Sequence, residues 1–313
     1  MKKISVVIPV YNEEENVCQI ANATENVIKS QLAQYDYEIL FIDNDSSDRT
    51  RELIREIAKD NKHIKAIFNT RNFGQNNSPY YAILQTTGDA VIPMSADFQD
   101  PPDLIPKFVK EWENGARIVI GRKTASKENG LMRLFRTIYY RLIRSLSRTE
   151  IIEHFTGFGL YDRDFVEFMR GLHDPIPFMR GVVAEYGGKR AEVPFEQPKR
   201  RGGKTHNNFF TLYDIAMRSF TSYTKFGLRL ATFAGAIIGM LSIFIAIFYL
   251  IYKLTHWNTF NAGVAPLIIG VFFIGAMQLI FLGLMGEYVL SINERVMNRP
   301  LVTEEERINF DEK

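Results

Sequence analysis

The chain has 313 residues, of which 46% are hydrophobic and 24% charged, and its formal net charge is +2. This length leaves room for about two domains, and the small net charge does not suggest a nucleic-acid partner. The single cysteine, Cys18, excludes an internal disulfide and cannot form a zinc site by itself.

Short apolar segments alternate with helical segments through the N-terminal part of the chain. The segment Val10–Glu15 is predicted to open the first helix, with its acidic residues in the first turn. The alternation predicts an α/β fold with a mainly parallel sheet and helices on both faces. The predicted strands are Ile4–Pro9, Tyr37–Asp43, Ile64–Phe68, Ala90–Met94, Arg117–Gly121, Thr156–Tyr161 and Ala191–Phe195.

Polar clusters follow the first, second and fourth of these strands. They are Asn12–Glu15, Asp43–Asp48 and Ser95–Asp100. Because the carboxyl ends of parallel strands meet at one edge of a sheet, we expect the three clusters to form a shared ligand site.

The segment Val91–Pro102 carries the strongest of these signals. Pro101 and Pro102 suit the start of a helix, which places Asp97 and Asp100 on the loop at the end of the strand. A carboxylate there can ligate a hard divalent cation, which can bridge to a diphosphate as it departs. The alternative is that both aspartates only cap the next helix.

Two basic segments follow the α/β part. Leu131–Leu146 is predicted to be an amphipathic helix, spanning about 131–147, with leucines on one face and arginines opposite. We expect it to lie in the membrane interface; the alternative is a core-packing helix with a solvated basic face. The second segment is the glycine-containing loop Pro198–His206. It can bind a diphosphate or a lipid phosphate through Arg200, Arg201 and Lys204, or serve only as a membrane-topology signal.

Two long stretches near the C-terminus, Leu230–Tyr252 and Trp257–Gly286, contain no charged side chain. Each exceeds the roughly 20 residues that a helix needs to cross a bilayer. Such lengths disfavour the alternative of a buried helical hairpin. Basic residues flank the pair on both outer sides, so both chain ends are expected in the cytoplasm, at the inner membrane.

This pattern predicts four regions. They are a cytoplasmic domain over 1–207, a juxtamembrane helix over 208–227, two spans within 228–290 and a cytoplasmic tail over 291–313. We expect the tail from Arg299 onward to be a mobile polar end.

Several motifs together resemble one family. They are Val7-Ile8-Pro9-Val10-Tyr11-Asn12-Glu13, Phe41-Ile42-Asp43 with Ser46 and Asp48, Arg71-Asn72-Phe73-Gly74, Gly88-Asp89-Ala90 and Ala96-Asp97-Phe98-Gln99-Asp100-Pro101-Pro102. In order and spacing they resemble the family two inverting glycosyltransferases, which have the GT-A fold. The similarity is greatest to the polyprenyl-phosphate sugar transferases, the group that includes dolichyl-phosphate mannose synthase.

The resemblance implies an enzyme that transfers a sugar from a UDP- or GDP-linked donor to undecaprenyl or dolichyl phosphate at the cytoplasmic membrane face. It implies a Mg²⁺ or Mn²⁺ cofactor and contacts with membrane lipids, and it leaves a homo-oligomer open. The residues that it assigns to the nucleotide and donor site are Pro9, Tyr11, Glu13, Asp43, Asp45, Ser95 and Ala96. Asp97 would meet the metal, and Gln99 and Asp100 would support catalysis beside it.

The chain departs from the family pattern in three places. Ser95 stands where the metal motif usually has its first acid, Asn44 and Asp45 replace the usual Asp-Gly, and Gly157 replaces an Asp that is a candidate base. A lipid phosphate is largely anionic at neutral pH and can attack without losing a proton to the enzyme. A transferase that extends a lipid-diphosphate-linked glycan would need the missing base, and a non-catalytic nucleotide-sugar-binding scaffold is the other alternative.

Overall fold

Among the residues that the computed structural model describes, runs of β-branched and aromatic residues form one eight-stranded sheet. Its strands are β1 (Lys3–Val10), β2 (Asp36–Asp43), β3 (Ile64–Asn69), β4 (Ala90–Pro93), β5 (Ile118–Lys123), β6 (Phe155–Asp162), β7 (Ala191–Phe195) and β8 (Glu304–Ile308). The structure describes residues 1–124, 152, 155–175, 177–188, 190–198, 217, 226–256 and 264–310. The predicted interface helix and the basic residues Arg200, Arg201 and Lys204 lie outside the described residues.

The described helices alternate with the first strands and then continue beyond the sheet. They are α1 (Val17–Gln31), α2 (Thr50–Asp60), α3 (Gly74–Gln85), α4 (Ile105–Glu113), α5 (Arg163–Gly171), α6 (Met179–Tyr186), α7 (Phe226–Thr255) and α8 (Val264–Met297), with a short 3-10 helix at Pro102–Leu104. Pro102 therefore opens a helical segment, as its fixed φ favours.

The sheet has the order β7-β5-β6-β4-β1-β2-β3-β8. Strands β4, β1, β2 and β3 are mutually parallel, and β5 pairs with β7 in parallel. Strand β6 runs antiparallel between β4 and β5, and β8 runs antiparallel to β3. The predicted α/β fold is confirmed, although the sheet is mixed rather than uniformly parallel.

The two faces of the sheet carry separate apolar clusters, because side chains alternate along each strand. Val6 and Ile8 of β1 pack with residues of α1, α2 and α4. Val7, from the same strand, packs on the other face with residues of α3, α5 and α6. Helices therefore cover both faces, as predicted.

The first helix begins later than expected. Its first residue is Val17, and the main-chain N–H groups of Asn16 and Val17 both donate to Glu13 O, at 2.9 and 3.0 Å. The acidic residues Glu13–Glu15 lie in this turn, before the helix begins. The first turn of α1 therefore contains no acidic residue, and the predicted position of the acids was wrong.

The C-terminal tail also differs from the prediction. Rather than a mobile polar end, residues 304–308 form the edge strand β8 on the sheet of the N-terminal domain. Val302, just before it, is buried at 5% exposure. The tail is ordered because its charged side chains meet oppositely charged partners on α2, including Arg55 with Glu306 at 2.7 Å.

Helices α7 and α8 cover most of the two uncharged stretches. Within α8, Phe273–Met297 is long and apolar enough to cross a membrane, with a mean hydropathy of 1.7 and none of it buried inside the protein. In α7, Ala231–Ile245 forms a shorter apolar helical stretch. One span is thus supported by length and composition, whereas the two-span hairpin stays a prediction.

Candidate functional site

The loop that follows β4 is built by its own two aspartates. Asp97 Oδ1 accepts the Gln99 main-chain N–H at 3.1 Å, and Asp100 Oδ2 accepts that of Ser95 at 3.0 Å. Both aspartates are 9% exposed. The 3-10 helix that follows has no side-chain cap, so the interpretation of the aspartates as helix caps is not supported.

A cavity of about 530 Å³ opens beside this loop at the carboxyl edge of the sheet. It is lined by Pro9, Gln75, Asn76, Pro79, Tyr80, Ile83, Pro93, Met94, Ser95, Gln99, Asp100, Lys123, Thr156, Gly157, Phe158, Phe178, Met179, Arg180 and Gln197. Of the predicted site residues, Pro9, Ser95, Gln99 and Asp100 therefore share one cavity. The predicted gathering of strand ends is confirmed by register, since Val7 of β1 pairs with Pro93 of β4 and Val10 of β1 pairs with Asp43 of β2. The use of all three polar clusters as one ligand site stays a prediction.

Cationic and acidic groups meet in this cavity. Lys123 Nζ donates to Gln197 Oε1 at 2.6 Å, and the Arg180 guanidinium lies 5.0 Å from the centre of the Phe178 ring. Burial raises the pKa of Asp100, while the hydrogen bond from the Ser95 main-chain N–H and the charge of Lys123 act in the opposite direction. The cationic side chains of Lys123 and Arg180 make the cavity suited to anionic ligands.

Gly157 faces this cavity from the start of β6. Its φ is +105°, a region that L-residues rarely adopt, and its carbonyl accepts the Tyr161 hydroxyl at 2.7 Å. The space beside its Cα is open, since a Cβ atom added there would meet no atom within 4 Å. This position therefore supplies backbone shape and no acid–base group.

The oxygen atoms near Asp97 fit a hard divalent cation in part. The described residues contain no cluster of three or more His, Cys, Asp or Glu side chains that could hold a metal by themselves. Mg²⁺, however, is often bound by one or two carboxylates together with substrate phosphates. The carboxylates of Asp97 and Asp100 are close enough to interact electrostatically, and they match that partial donor set.

Tyr11, Glu13, Asp43 and Asp45, which were also predicted for the donor site, lie at the ends of β1 and β2. Asn12 N donates to Ser46 Oγ at 2.9 Å, and Ser47 N donates to Asn12 Oδ1 at 2.8 Å, so the two loops are hydrogen-bonded to each other. Tyr11 and Glu13 are half-buried in this region, whereas Ala96 is 2% exposed and belongs to the core.

The replacement of Asp-Gly by Asn44-Asp45 has a structural explanation. Asn44 Nδ2 donates to Asn72 Oδ1 at 2.8 Å, which a carboxylate could not do, and Asn44 Oδ1 accepts from Phe73 N at 2.9 Å. Asp45 has φ +69°, in the left-handed region that glycine occupies freely and that aspartate tolerates. Asn44 thereby ties the β2 loop to the loop before α3.

Sequence reasoning missed several groups that the structure places at the site. Lys123 ends β5, so the strand-end rule applied to the other strands could have found it. Arg180 and Gln75 lie on helices and carried no distinctive motif. Arg51, on α2, was missed although its Nε donates to Asp43 Oδ2 at 2.5 Å, because its spacing within the helix resembled an ordinary solvated face.

Comparison with known proteins agrees with the resemblance. The model of the family described as Glycosyl transferase family 2 matches residues 5–170. The SfII prophage-derived bactoprenol glucosyl transferase of Shigella flexneri is 31% identical over 299 residues, covering 95% of this chain and 96% of that protein. An uncharacterized glycosyltransferase of Synechocystis is 33% identical over 301 residues, covering 96% and 93%.

Among solved structures, mannosyl-3-phosphoglycerate synthase from Rubrobacter xylanophilus superimposes with a TM-score of 0.50 at 20% identity. The match covers 69% of this chain and 71% of that one. It confirms the predicted GT-A fold.

Proposed function

The chain belongs to glycosyl transferase family 2, and on that premise we propose that it transfers a sugar from a nucleotide-diphosphate sugar to a polyprenyl phosphate. The observation that carries this acceptor is the cavity at the sheet edge, whose lining includes Lys123, Arg180 and Gly157. Two cationic side chains line the cavity that would receive the phosphate, and a position that could hold a base carries no side chain.

A phosphate acceptor removes the need for that base. The second pKa of a phosphate monoester is near 6, so at neutral pH its oxygen is already anionic and can attack the anomeric carbon directly. Attack on the face opposite the leaving diphosphate inverts the anomeric configuration. The protein's contribution is to hold the two reactants in line and to stabilise the departing charge.

The described residues divide this work between them. Lys123 and Arg180 bind the acceptor phosphate, while Gln99 and the ends of β1 and β2 hold the donor. Asp97, with Asp100 beside it, would hold a Mg²⁺ or Mn²⁺ ion, which would supply charge neutralisation at the diphosphate when bound.

The membrane-compatible helix supports a lipid acceptor. Phe273–Met297 can anchor the domain at the bilayer, where the head group of a polyprenyl phosphate lies. The name of the Shigella relative, a bactoprenol glucosyl transferase, points to the same acceptor class and makes glucose the first sugar to test. We place the catalytic domain on the cytoplasmic side of the inner membrane.

The test is a transfer assay with purified full-length protein in nanodiscs. Labelled UDP-glucose, UDP-N-acetylglucosamine and GDP-mannose are each offered with undecaprenyl phosphate or with an undecaprenyl-diphosphate-linked sugar. We expect product when undecaprenyl phosphate is the acceptor and no product when the diphosphate-linked sugar is the acceptor. Product with only the diphosphate-linked sugar would support glycan extension, and no product with any pair would contradict the proposed function.

A matched pair of variants tests the role of the cavity. Lys123→Met removes a charge-assisted contact of about 1.5–3 kcal/mol, which corresponds to a loss of roughly 10- to 150-fold in kcat/KM for undecaprenyl phosphate. Arg122→Met is the control, because Arg122 is exposed and pairs with Glu192 at 3.1 Å. Equal effects of the two substitutions would remove Lys123 from the acceptor site.

A further inference from the structure

The C-terminal strand β8 is joined firmly to the N-terminal domain. Thr70 N donates to Thr303 O at 3.0 Å just before the strand. Beyond the strand, Asn309 Nδ2 donates to Ala58 O at 2.6 Å and to Ile64 O at 2.8 Å. The segment that follows the membrane-compatible helix thus becomes part of the sheet.

Two arginines one turn apart on α2 meet adjacent glutamates of this strand. Arg55 pairs with Glu306 at 2.7 Å, and Arg51 Nη1 pairs with Glu305 at 2.9 Å. Both guanidinium groups also lie against the Phe68 ring, at 5.7 Å for Arg51 and 4.5 Å for Arg55. The two arginines therefore make the same kinds of contact with β8 and Phe68, although Arg51 is the more buried of the two.

Among the contacts described, only Arg51 of the two arginines also contacts the loop after β2, Asp43–Asp48, which belongs to the proposed donor site. Arg51 Nε donates to Asp43 Oδ2 at 2.5 Å, and its Nη2 donates to Asn69 O at 2.5 Å. Although burial acts against it, the hydrogen bonds that Arg51 donates to the carboxylates of Asp43 and Glu305 raise the pKa of Arg51. One guanidinium thus joins β8, the end of β3 and the end of β2.

Asp43 in turn shapes the loop that follows it. Its carboxylate is 0% exposed and accepts the main-chain N–H groups of Asp45 and Ser46, each at 3.1 Å. Ser46 then accepts the N–H of Asn12 at the end of β1. A buried carboxylate with these partners organises the loop through its oxygens, and its charge is balanced by Arg51.

We propose that β8 is part of the donor site, and that Arg51, held by Glu305, is a positioning residue that fixes the Asp43 loop in the conformation that binds the nucleoside diphosphate of the donor. This inference rests on the proposed function, since it assigns the donor to the ends of β1 and β2. It gives the segment after the membrane helix a role in donor binding.

Arg51→Lys and Arg55→Lys form the matched pair for the test. Lysine keeps the charge but cannot contact Asp43, Asn69 and Glu305 at once, because it lacks the planar fork of arginine. UDP and GDP are each titrated calorimetrically into the full-length proteins in nanodiscs, and transfer kinetics are measured with the sugar donor of the nucleotide that binds. Arg51→Lys is expected to raise the Kd and the donor KM roughly tenfold or more, with kcat nearly unchanged.

A structural role alone would give a different pattern. It would lower the melting temperature of both variants and leave nucleotide affinity the same in each, which would overturn the inference while leaving the proposed function intact. A wild-type protein that binds neither UDP nor GDP would overturn both. If Arg51→Lys does not fold, Glu305→Gln with Glu306→Gln as its control makes the same comparison, and equal donor KM values in that pair overturn the inference.

Discussion

The buried carboxylate of Glu38 provides a quantitative test of the folded core. Glu38 is 2% exposed, and its oxygens accept from Ser5 Oγ at 2.6 Å and Thr87 N at 2.7 Å. They also meet the ammonium groups of Lys65 at 2.9 Å and Lys3 at 3.1 Å. Burial alone would raise the pKa of Glu38, but these hydrogen bonds and charges lower it from 4.5 to about 2.

This shift fixes the sign and the size of the effect on stability. Because the folded-state pKa is below the unfolded value, the stabilisation is fully present above about pH 4.5 and is lost as the pH falls through about 2. At about 1.36 kcal/mol per pKa unit, the contribution at pH 7 is roughly 3 kcal/mol. Glu38→Gln should therefore lower the free energy of unfolding by about that amount at pH 7, and by more if Lys65 is left unpaired.

The assay is urea unfolding of the full chain at pH values from 7 to 2, with Glu52→Gln as the control. Glu52 pairs with Arg49 at 3.1 Å, but its side chain is 58% exposed, so its substitution should change stability little at any pH. The difference between wild type and Glu38→Gln should shrink between pH 4.5 and 2. A difference that stays constant over this range would refute the assignment to the Glu38 charge.

Three further changes test the site. Asp97→Asn, or excess chelator with the wild-type protein, should abolish transfer while circular dichroism stays unchanged, because Asp97 is the carboxylate proposed for the metal; full activity in either case would contradict that role. Gly157→Ala should lower stability by about 1–3 kcal/mol because of its φ of +105°, and an unchanged melting temperature would show that the backbone relaxes there. Replacing Arg200, Arg201 and Lys204 together with alanine should raise donor or acceptor KM more than it lowers the melting temperature; unchanged kinetics would leave this loop a topology signal.

The strand ends and the loop after β4 could be read from the sequence because their signals are local. An apolar run that stops at polar residues and prolines defines a strand end wherever it lies in the chain, and parallel pairing then brings such ends to one edge. Asp97 and Asp100 were located in this way, and Val91–Pro102 was correctly divided into strand, loop and helix start.

The positions of the site's cationic side chains and the existence of the C-terminal strand could not be predicted from the sequence, because both depend on tertiary structure. Lys123 lies at a strand end, but only the antiparallel insertion of β6 brings β5 and its lysine to the same cavity as Asp100. The β8 sequence Glu304–Ile308 is too acidic to show the apolar alternation of a half-buried strand, so by itself it indicates a solvated tail. It becomes a strand because α2 presents Arg51 and Arg55 beside the open edge of β3, and such complementarity between distant segments exists only once the chain has folded.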